Sequence, residues 1–421
     1  MASESSSAQH TPTRLHIPKP HLHVGEKPDY SWLNIPPAGI LPRPPIDAEP
    51  RATAEHARGM IRVLDDAGTA VGAWNPELDP EFLRLGLRTM MLTRAYDERM
   101  NRAQRQGKTS FYMKCTGEEA VGVAQAMALN NDDMAFTTYR QQGLLLARDW
   151  SMLDMMCQIF NNTRDRLHGR QLPVLYSAKD AGYFTLSGNV ATQVINAVGW
   201  AMASAYKCDA RIAATWIGEG STAEADFHYG LTFAAVYRAP IVITVVNNQW
   251  AISTPQAIAG GEEATFAERG LGHGLPSMRV DGNDFLAVWS ATKWAADRAR
   301  AGHGATLIEL FTYRAAAHST SDDPSRYRPA DDWDSWPLGD PIERLARHLI
   351  LRQEWTEDRH AALREELDEQ VRTTAREAES FGTLDRGKMH DVSTMFEDVY
   401  KEMPWHLREQ MNEVLADRGE D

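Results

Sequence analysis

The sequence predicts an α/β fold, a doubly wound parallel sheet flanked by helices, with a proline-rich arm before it and a helical part after it. Three observations predict it. Short, mostly apolar runs recur at Ile212–Ile217, Ile241–Val246 and Thr306–Phe311, as suits strands buried on both faces of a parallel sheet. Helix-like stretches lie between them, near 190–207, 222–237 and 284–301. The composition is that of a globular protein, with 43% hydrophobic and 24% charged residues.

The arm comes first. Ten of the 21 prolines fall in the first fifty residues, as in HIPKPHLHVGEKPDY and NIPPAGILPRPPIDAEP. Proline removes a backbone donor and clashes with the preceding turn, so this segment is not a regular helix. Trp32, Leu33, Ile35, Ile40 and Leu41 favour an arm docked on the body over a free tail. His10, His16, His21 and His23 have no regular metal-ligand spacing and read as surface positions. From Pro80 to about Arg105, apolar residues at helical spacings predict a helix. Beyond Asp340 the chain reads as helix to its end, with a solvated face in RQEWTEDRHAALREELDEQ. The expected organisation is an arm over 1–79, a binding domain over 80–340 and a helical extension over 341–421.

Charge and cysteines narrow the function. With 44 Lys+Arg against 58 Asp+Glu the net charge is −14, which disfavours nucleic acid as a main partner. Three separated cysteines form no C-x-x-C pair, so neither a disulfide framework nor a zinc ribbon is indicated. Cys115 reads as a packed thiol. No apolar run reaches the ~18 residues of a membrane span, and MASESSSAQH has no apolar signal core. The expectation is a cytoplasmic protein with no membrane partner.

The most informative stretch is RIAATWIGEGSTAEADFHYGLTFAAVYRAPIVITVVNNQWAIS, residues 211–253. A strand runs into Gly218-Glu219-Gly220. Ser221 and Glu224 fit the S-x-x-E capping pattern, so a helix is expected to begin at Ser221 and end near Tyr237. The next strand ends in Asn247-Asn248. Both polar clusters thus fall at carboxyl ends of strands, where open α/β sheets bind ligands. Glycines permit close backbone approach to an anion, and a helix amino end favours phosphate. A carboxylate and a carboxamide supply hard oxygen ligands, which suits Mg2+ holding a diphosphate. Glu219, Asn248 and one backbone carbonyl would make such a set. The 26 residues between Gly220 and Asn247 match the spacing of a thiamine diphosphate motif. Gly270, Gly272 and Gly274 follow no clear strand, which disfavours a Rossmann dinucleotide loop.

With these residues on view, the chain resembles the α subunits of bacterial branched-chain 2-oxo acid dehydrogenases (2-oxoisovalerate dehydrogenases). The likeness covers nearly the whole chain and includes SFYMKCTGEEAVG, TYRQQGLLLARDWS, GRQLPVLYS, SGNVATQ, NNQWAISTP, RVDGNDFLAV and YRAAAHSTSDDPSRYRPADDW. The resemblance implies Glu219 and Asn248 as metal ligands, with the Trp250 carbonyl as the third. The acid of this motif is more often Asp. Gly218, Gly220 and Ser221 would complete the diphosphate turn, with Tyr139 and Arg140 on the diphosphate. Val246 stands where relatives often carry an arginine, so one phosphate contact is missing or replaced. Gly188 and Val190 resemble residues that meet the aminopyrimidine, with Val190 helping to bend the cofactor. Ser187, Asn189, Thr192 and Gln193 resemble a monovalent-cation (K+) site. His318 resembles an active-site histidine that also meets the cofactor, on a loop ordered by Arg314, Asp322, Tyr327 and Arg328. Ser319 stands at a position phosphorylated in mammalian relatives, but Pro329 replaces the second such serine, and no such regulation is expected.

The implied activity is thiamine diphosphate- and Mg2+-dependent oxidative decarboxylation of a branched-chain 2-oxo acid such as 3-methyl-2-oxobutanoate. The acyl group would pass to a lipoyl-bearing acyltransferase component. Only the diphosphate-binding half of the cofactor site is recognisable, which implies a β subunit in an α2β2 heterotetramer that supplies the activating glutamate. Pyruvate or acetoin as substrate, and a non-catalytic assembly role, stay open at this level. Ala197, Gly199, Ala201, Ala203 and Ala205 mark a helix that can be closely approached, by a subunit or by the core.

Overall fold

The computed structural model describes residues 14–387 and 390–418, so His10 lies outside the described residues. In chain order the regular elements are α1 (Ala54–Arg58), α2 (Pro80–Arg105), α3 (Glu119–Ala128), β1 (Met134–Phe136), α4 (Gln142–Ala147), α5 (Met152–Phe160), α6 (Thr192–Tyr206), β2 (Ala213–Gly218), α7 (Ala225–Val236), β3 (Ile241–Asn247), β4 (Trp250–Ala251), β5 (Thr254–Pro255), α8 (Phe266–Gly272), β6 (Ser277–Asp281), α9 (Phe285–Arg300), β7 (Thr306–Phe311), α10 (Pro341–Leu351), α11 (Glu357–Ser380) and α12 (Trp405–Asp417).

Five strands form a wholly parallel sheet in the order β1-β2-β3-β7-β6. Alternation along the strands sends neighbouring side chains to opposite faces. Val242 and Val246 of β3 join one apolar core with α2, α3, α9, α10 and α11, whereas Ile241, Ile243 and Val245 join a second core with α6, α7 and α8. Helices therefore cover both faces, and the three strands read from sequence are buried on both sides, as expected. The two outer strands, β1 and β6, were not foreseen. β1 is three residues long, and β6 mixes Ser277, Arg279 and Asp281 with its apolar residues. Arg279 lies 3.4 Å from the buried Glu309 of β7, which offsets the cost of that polar edge.

The helices start where local chemistry allows. Asp79 accepts a hydrogen bond from the Glu81 N–H at 2.7 Å and Pro80 occupies the first turn of α2. Asp284 caps α9, while its other oxygen takes the Val63 and Leu64 N–H groups at 2.8 and 2.6 Å. One carboxylate thus ends a helix and ties down the incoming chain. After Asp340 the helix is not continuous: turns separate α10, α11 and α12.

The arm lies on the body. Leu22 is buried in a third apolar cluster with Trp250, Phe311, Tyr313 and Trp336. Tyr30 donates to the Asp332 carbonyl at 3.1 Å. His21 stacks on Trp32 at 3.9 Å, and His16 lies 2.9 Å from Glu262; among the described residues neither belongs to a metal-ligand cluster. Among the described residues no helix is long and apolar enough to cross a membrane.

Candidate cofactor and metal site

β2 and β3 are neighbours, with Gly218 in register with Val246. The residues that follow, Glu219 on one strand and Asn247-Asn248 on the other, leave the sheet side by side at its carboxyl edge. A cavity of about 580 Å3 opens there. Tyr139, Arg140, Ser187, Gly188, Asn189, Val190, Gln193, Gly218, Glu219, Gly220, Ser221, Val246, Asn248, Trp250 and His318 all line it. Of the residues singled out from sequence for this site, Thr192 alone is not on its wall; its hydroxyl donates to the Asn189 carbonyl at 3.1 Å.

The helix start foreseen at Ser221 is a correction. Glu219–Ala223 forms a 3-10 turn, and α7 begins only at Ala225. Glu224 is extended (φ −77°, ψ 145°) and makes no capping box, because its own N–H closes the turn on the Ser221 carbonyl. Thr222 secures the turn by donating to the Glu219 carbonyl at 2.5 Å. The cavity therefore meets a tight 3-10 turn in place of an α-helical first turn.

Glu219 is 1% exposed, and its Oε1 has no hydrogen-bond partner. Burial pushes its carboxyl up to about 7, opposed by backbone N–H groups, including that of Asn248, and by Arg314. A buried carboxylate oxygen with no donor is costly unless a cation meets it. Asn248 Oδ1 accepts the Trp250 N–H at 3.3 Å, and its Nδ2 donates to Glu118 at 2.8 Å. The Trp250 carbonyl takes a bond from Arg314 at 2.8 Å and keeps a second lone pair. This donor set fits a hard divalent cation. A Cβ at Gly218 or Gly188 would meet nothing within 4 Å, so the backbone at both is open to a bulky ligand. Gln193 donates to the Trp216 carbonyl at 3.0 Å, leaving its Oε1 unpartnered.

Arg140 and His318 also line the cavity, and Arg314 stands behind them. Arg140 donates to the Lys114 carbonyl, to the His318 carbonyl at 2.6 Å and to His318 Nδ1 at 3.2 Å. Arg314 reaches the same Nδ1 at 3.4 Å. An atom facing two arginines cannot also carry a proton, so His318 is neutral with its hydrogen on Nε2. Burial, then Arg140 and Arg314, push this imidazole down to about 3. The ring stands edge-on to Tyr139, centroids 5.8 Å apart. Asp322 holds the loop by accepting the His318 N–H at 2.8 Å and the Tyr327 hydroxyl at 2.6 Å, and Arg328 ties it to the Arg314 carbonyl at 2.6 Å. Ser319 is buried, with its hydroxyl accepting the Ser321 N–H at 3.2 Å.

Of the wall residues that sequence reasoning did not single out, three stand out. Glu118, 1% exposed, lies between Asn248 and Arg140; its only signal was the Glu118-Glu119 pair before an apolar run. Gln141 binds Thr138 through both its N–H and its hydroxyl, at 2.8 and 2.7 Å. Ile252 has φ +55°, a left-handed conformation unfavourable for a β-branched residue, and Arg314 holds its carbonyl at 2.8 Å. Cys115 is buried, its thiol raised by burial and by Asp97, as for a packed residue.

Residues 87–386 match the family model described as "Dehydrogenase E1 component", and residues 11–51 match "2-oxoisovalerate dehydrogenase E1 alpha subunit N terminal". The chain is 57% identical over 407 residues to the 2-oxoisovalerate dehydrogenase subunit alpha of Pseudomonas aeruginosa, covering 97% of this chain and 99% of that one. It is 39% identical over 361 residues to the human mitochondrial subunit alpha, covering 84% and 79%, and 37% identical over 371 residues to subunit alpha 1 of Arabidopsis thaliana, covering 86% and 76%. With its parallel sheet and carboxyl-edge cavity, the chain belongs to the dehydrogenase E1 component family, among the 2-oxoisovalerate dehydrogenase alpha subunits.

Proposed function

We infer that the chain is the α subunit of a branched-chain 2-oxo acid dehydrogenase, acting on substrates such as 3-methyl-2-oxobutanoate with thiamine diphosphate and Mg2+. The observation that carries this reading is the unpartnered, buried oxygen of Glu219 beside Asn248 at the edge of two adjacent parallel strands. Glu219, Asn248 and the Trp250 carbonyl would hold the metal. Arg140, the open backbone of Gly218 and the turn at Gly220 and Ser221 would meet the diphosphate, with Arg140 and Arg314 supplying positive charge where Val246 cannot. Gly188 and Val190 would lie against the ring portion, and Ser187, Asn189, Thr192 and Gln193 would support a K+ ion. Thiamine diphosphate supplies the electron sink for loss of carbon dioxide from the 2-oxo acid. His318, kept neutral by its arginines, offers an Nε2–H that can donate to a developing oxyanion or move a proton during acyl transfer to a lipoyl group.

The same reading includes a partner. Ile195 and Tyr206 on α6, and Tyr229, Phe233, Val236 and Tyr237 on or just beyond α7, are large apolar residues left exposed. Val190, Ile252 and Ile258 are exposed at the cavity itself. Such a patch marks a surface that another chain covers, and a β subunit there would both bury it and close the site against water.

The test is co-expression with a candidate β subunit. The isolated chain is expected not to decarboxylate, and the assembled enzyme to prefer 3-methyl-2-oxobutanoate over pyruvate in kcat/KM. Vigorous turnover by the isolated chain would contradict the need for a partner, and a preference for pyruvate would contradict the substrate class.

A further inference from the structure

Asn248 offers a metal only one useful atom, its Oδ1, and an amide can rotate by half a turn to present nitrogen instead. Two contacts oppose that rotation. The Trp250 N–H is donated to Oδ1 at 3.3 Å, and Nδ2 donates to the Glu118 carboxylate at 2.8 Å. A flipped amide would set Oδ1 against a carboxylate, two acceptors with no hydrogen between them. Glu118 is 1% exposed, so water cannot stand in for the lost bond. The same carboxylate lies 3.8 Å from Arg140 Nε, whose guanidinium also holds His318. Glu118 leaves the chain at the start of α3, and no part of the diphosphate motif supplies it.

We propose that Glu118 is a positioning residue for the metal centre: it fixes the side-chain orientation of Asn248 so that Oδ1 faces the cation, and couples that ligand to Arg140. It acts through these two side chains. Partners of this kind around metal ligands typically set ~10–100-fold in metal affinity. The proposal rests on the cofactor and metal reading above.

The experiment uses the full chain assembled with its β partner and titrates Mn2+ in the presence of thiamine diphosphate, with free Mn2+ read by electron paramagnetic resonance. Glu118→Ala is expected to weaken Mn2+ binding by roughly 10–100-fold. Glu118→Gln, which keeps an acceptor for Nδ2, is expected to recover most of that loss. In an Asn248→Ala background, Glu118→Ala is expected to cost nothing further, since the ligand it orients is gone. Should the alanine variant not assemble, the exchanged pair Glu118→Gln with Asn248→Asp serves. It again sets a donor against an acceptor, and is expected to bind Mn2+ more tightly than Asn248→Asp alone. Unchanged affinity in Glu118→Ala, an equal loss in the Asn248→Ala background, or no rescue by the exchanged pair would overturn the proposal. Glu219→Ala separates the two levels. If it abolishes Mn2+ binding while Glu118→Ala does not alter it, only the positioning role falls. If the unaltered enzyme binds no Mn2+ with the cofactor, the site reading falls, and the positioning role with it.

Discussion

Gly218 and Val246 are register partners on adjacent parallel strands, and this one pairing brings Glu219 and Asn248 to the same cavity edge. The two residues are far apart along the chain, and each sits one or two positions beyond the last paired residue.

Glu219 makes the metal-free protein sensitive to pH. Its folded value of about 7 lies above the ordinary 4.5, so the native state without metal holds a proton that the unfolded chain has lost. Stability of the metal-free protein therefore falls as pH rises from about 4.5 to about 7, by roughly 3 kcal/mol in total. Glu219→Gln removes that penalty and is expected to make the metal-free protein more stable at pH 8, by denaturant unfolding. On the proposed reading, binding of Mg2+ with thiamine diphosphate to the unaltered chain would need the carboxylate. It should strengthen up to about pH 7 and release a proton below that, measurable by calorimetry in buffers of different ionisation enthalpy. Binding that is flat between pH 5 and 8 would exclude Glu219 as the ligand.

His318 is predicted to stay neutral throughout pH 5–8 in the cofactor-free protein, since its value is pushed down to about 3. Nitrogen-15 correlation spectra of the imidazole should show the hydrogen on Nε2, and a titration midpoint near 6.5 would refute this. His318→Ala should slow transfer to lipoate by ~10²–10⁴-fold, the range of general acid–base contributions, while leaving cofactor affinity much less changed. Equal, near-wild-type rates in both steps would count against a catalytic role.

The two glycines of the turn should separate. A Cβ on Gly220 would come 2.5 Å from the Ala251 Cβ, so Gly220→Ala should cost ~1–3 kcal/mol of stability by overpacking. A Cβ on Gly218 meets nothing within 4 Å, at an ordinary φ of −74°. Gly218→Ala should fold normally yet weaken cofactor binding, because the added methyl enters the cradle. Thermal unfolding and calorimetry together decide; full affinity in Gly218→Ala would place the diphosphate elsewhere.

The arm should matter to the site through Trp250. Leu22 and Trp250 share one apolar cluster, so Leu22→Ala should cost ~2–5 kcal/mol. It should also loosen the backbone carbonyl that the metal reading assigns to Trp250, lowering metal affinity. Hydrogen exchange at the Trp250 and Ala251 amides, compared with and without the substitution, checks the link; unchanged exchange would break it.

Much of this was legible in the chain itself, for a local reason. Apolar strand runs, the helices between them, and polar residues at strand ends are patterns within a few residues, and burial on both faces of a sheet leaves a one-dimensional trace at Ile241–Val246. The motif spacing and the family resemblance then named Glu219, Asn248, Arg140 and His318. The pattern misled where a local rule had a competitor. Ser221 and Glu224 fit a capping box, but the backbone closes a 3-10 turn there and Glu224 extends out of it. The short, partly polar strands β1 and β6 escaped notice because their stability comes from the neighbours they pair with. What only the tertiary structure decided are contacts between distant residues: Glu118 on Asn248, 130 positions apart, and Arg140 on His318, 178 apart. Parallel register and helix packing set those distances, and neither is written in any short window of sequence. The tautomer of His318, the raised Glu219 carboxyl and the orientation of Asn248 all follow from them, because each depends on which charges and donors share a space closed to water.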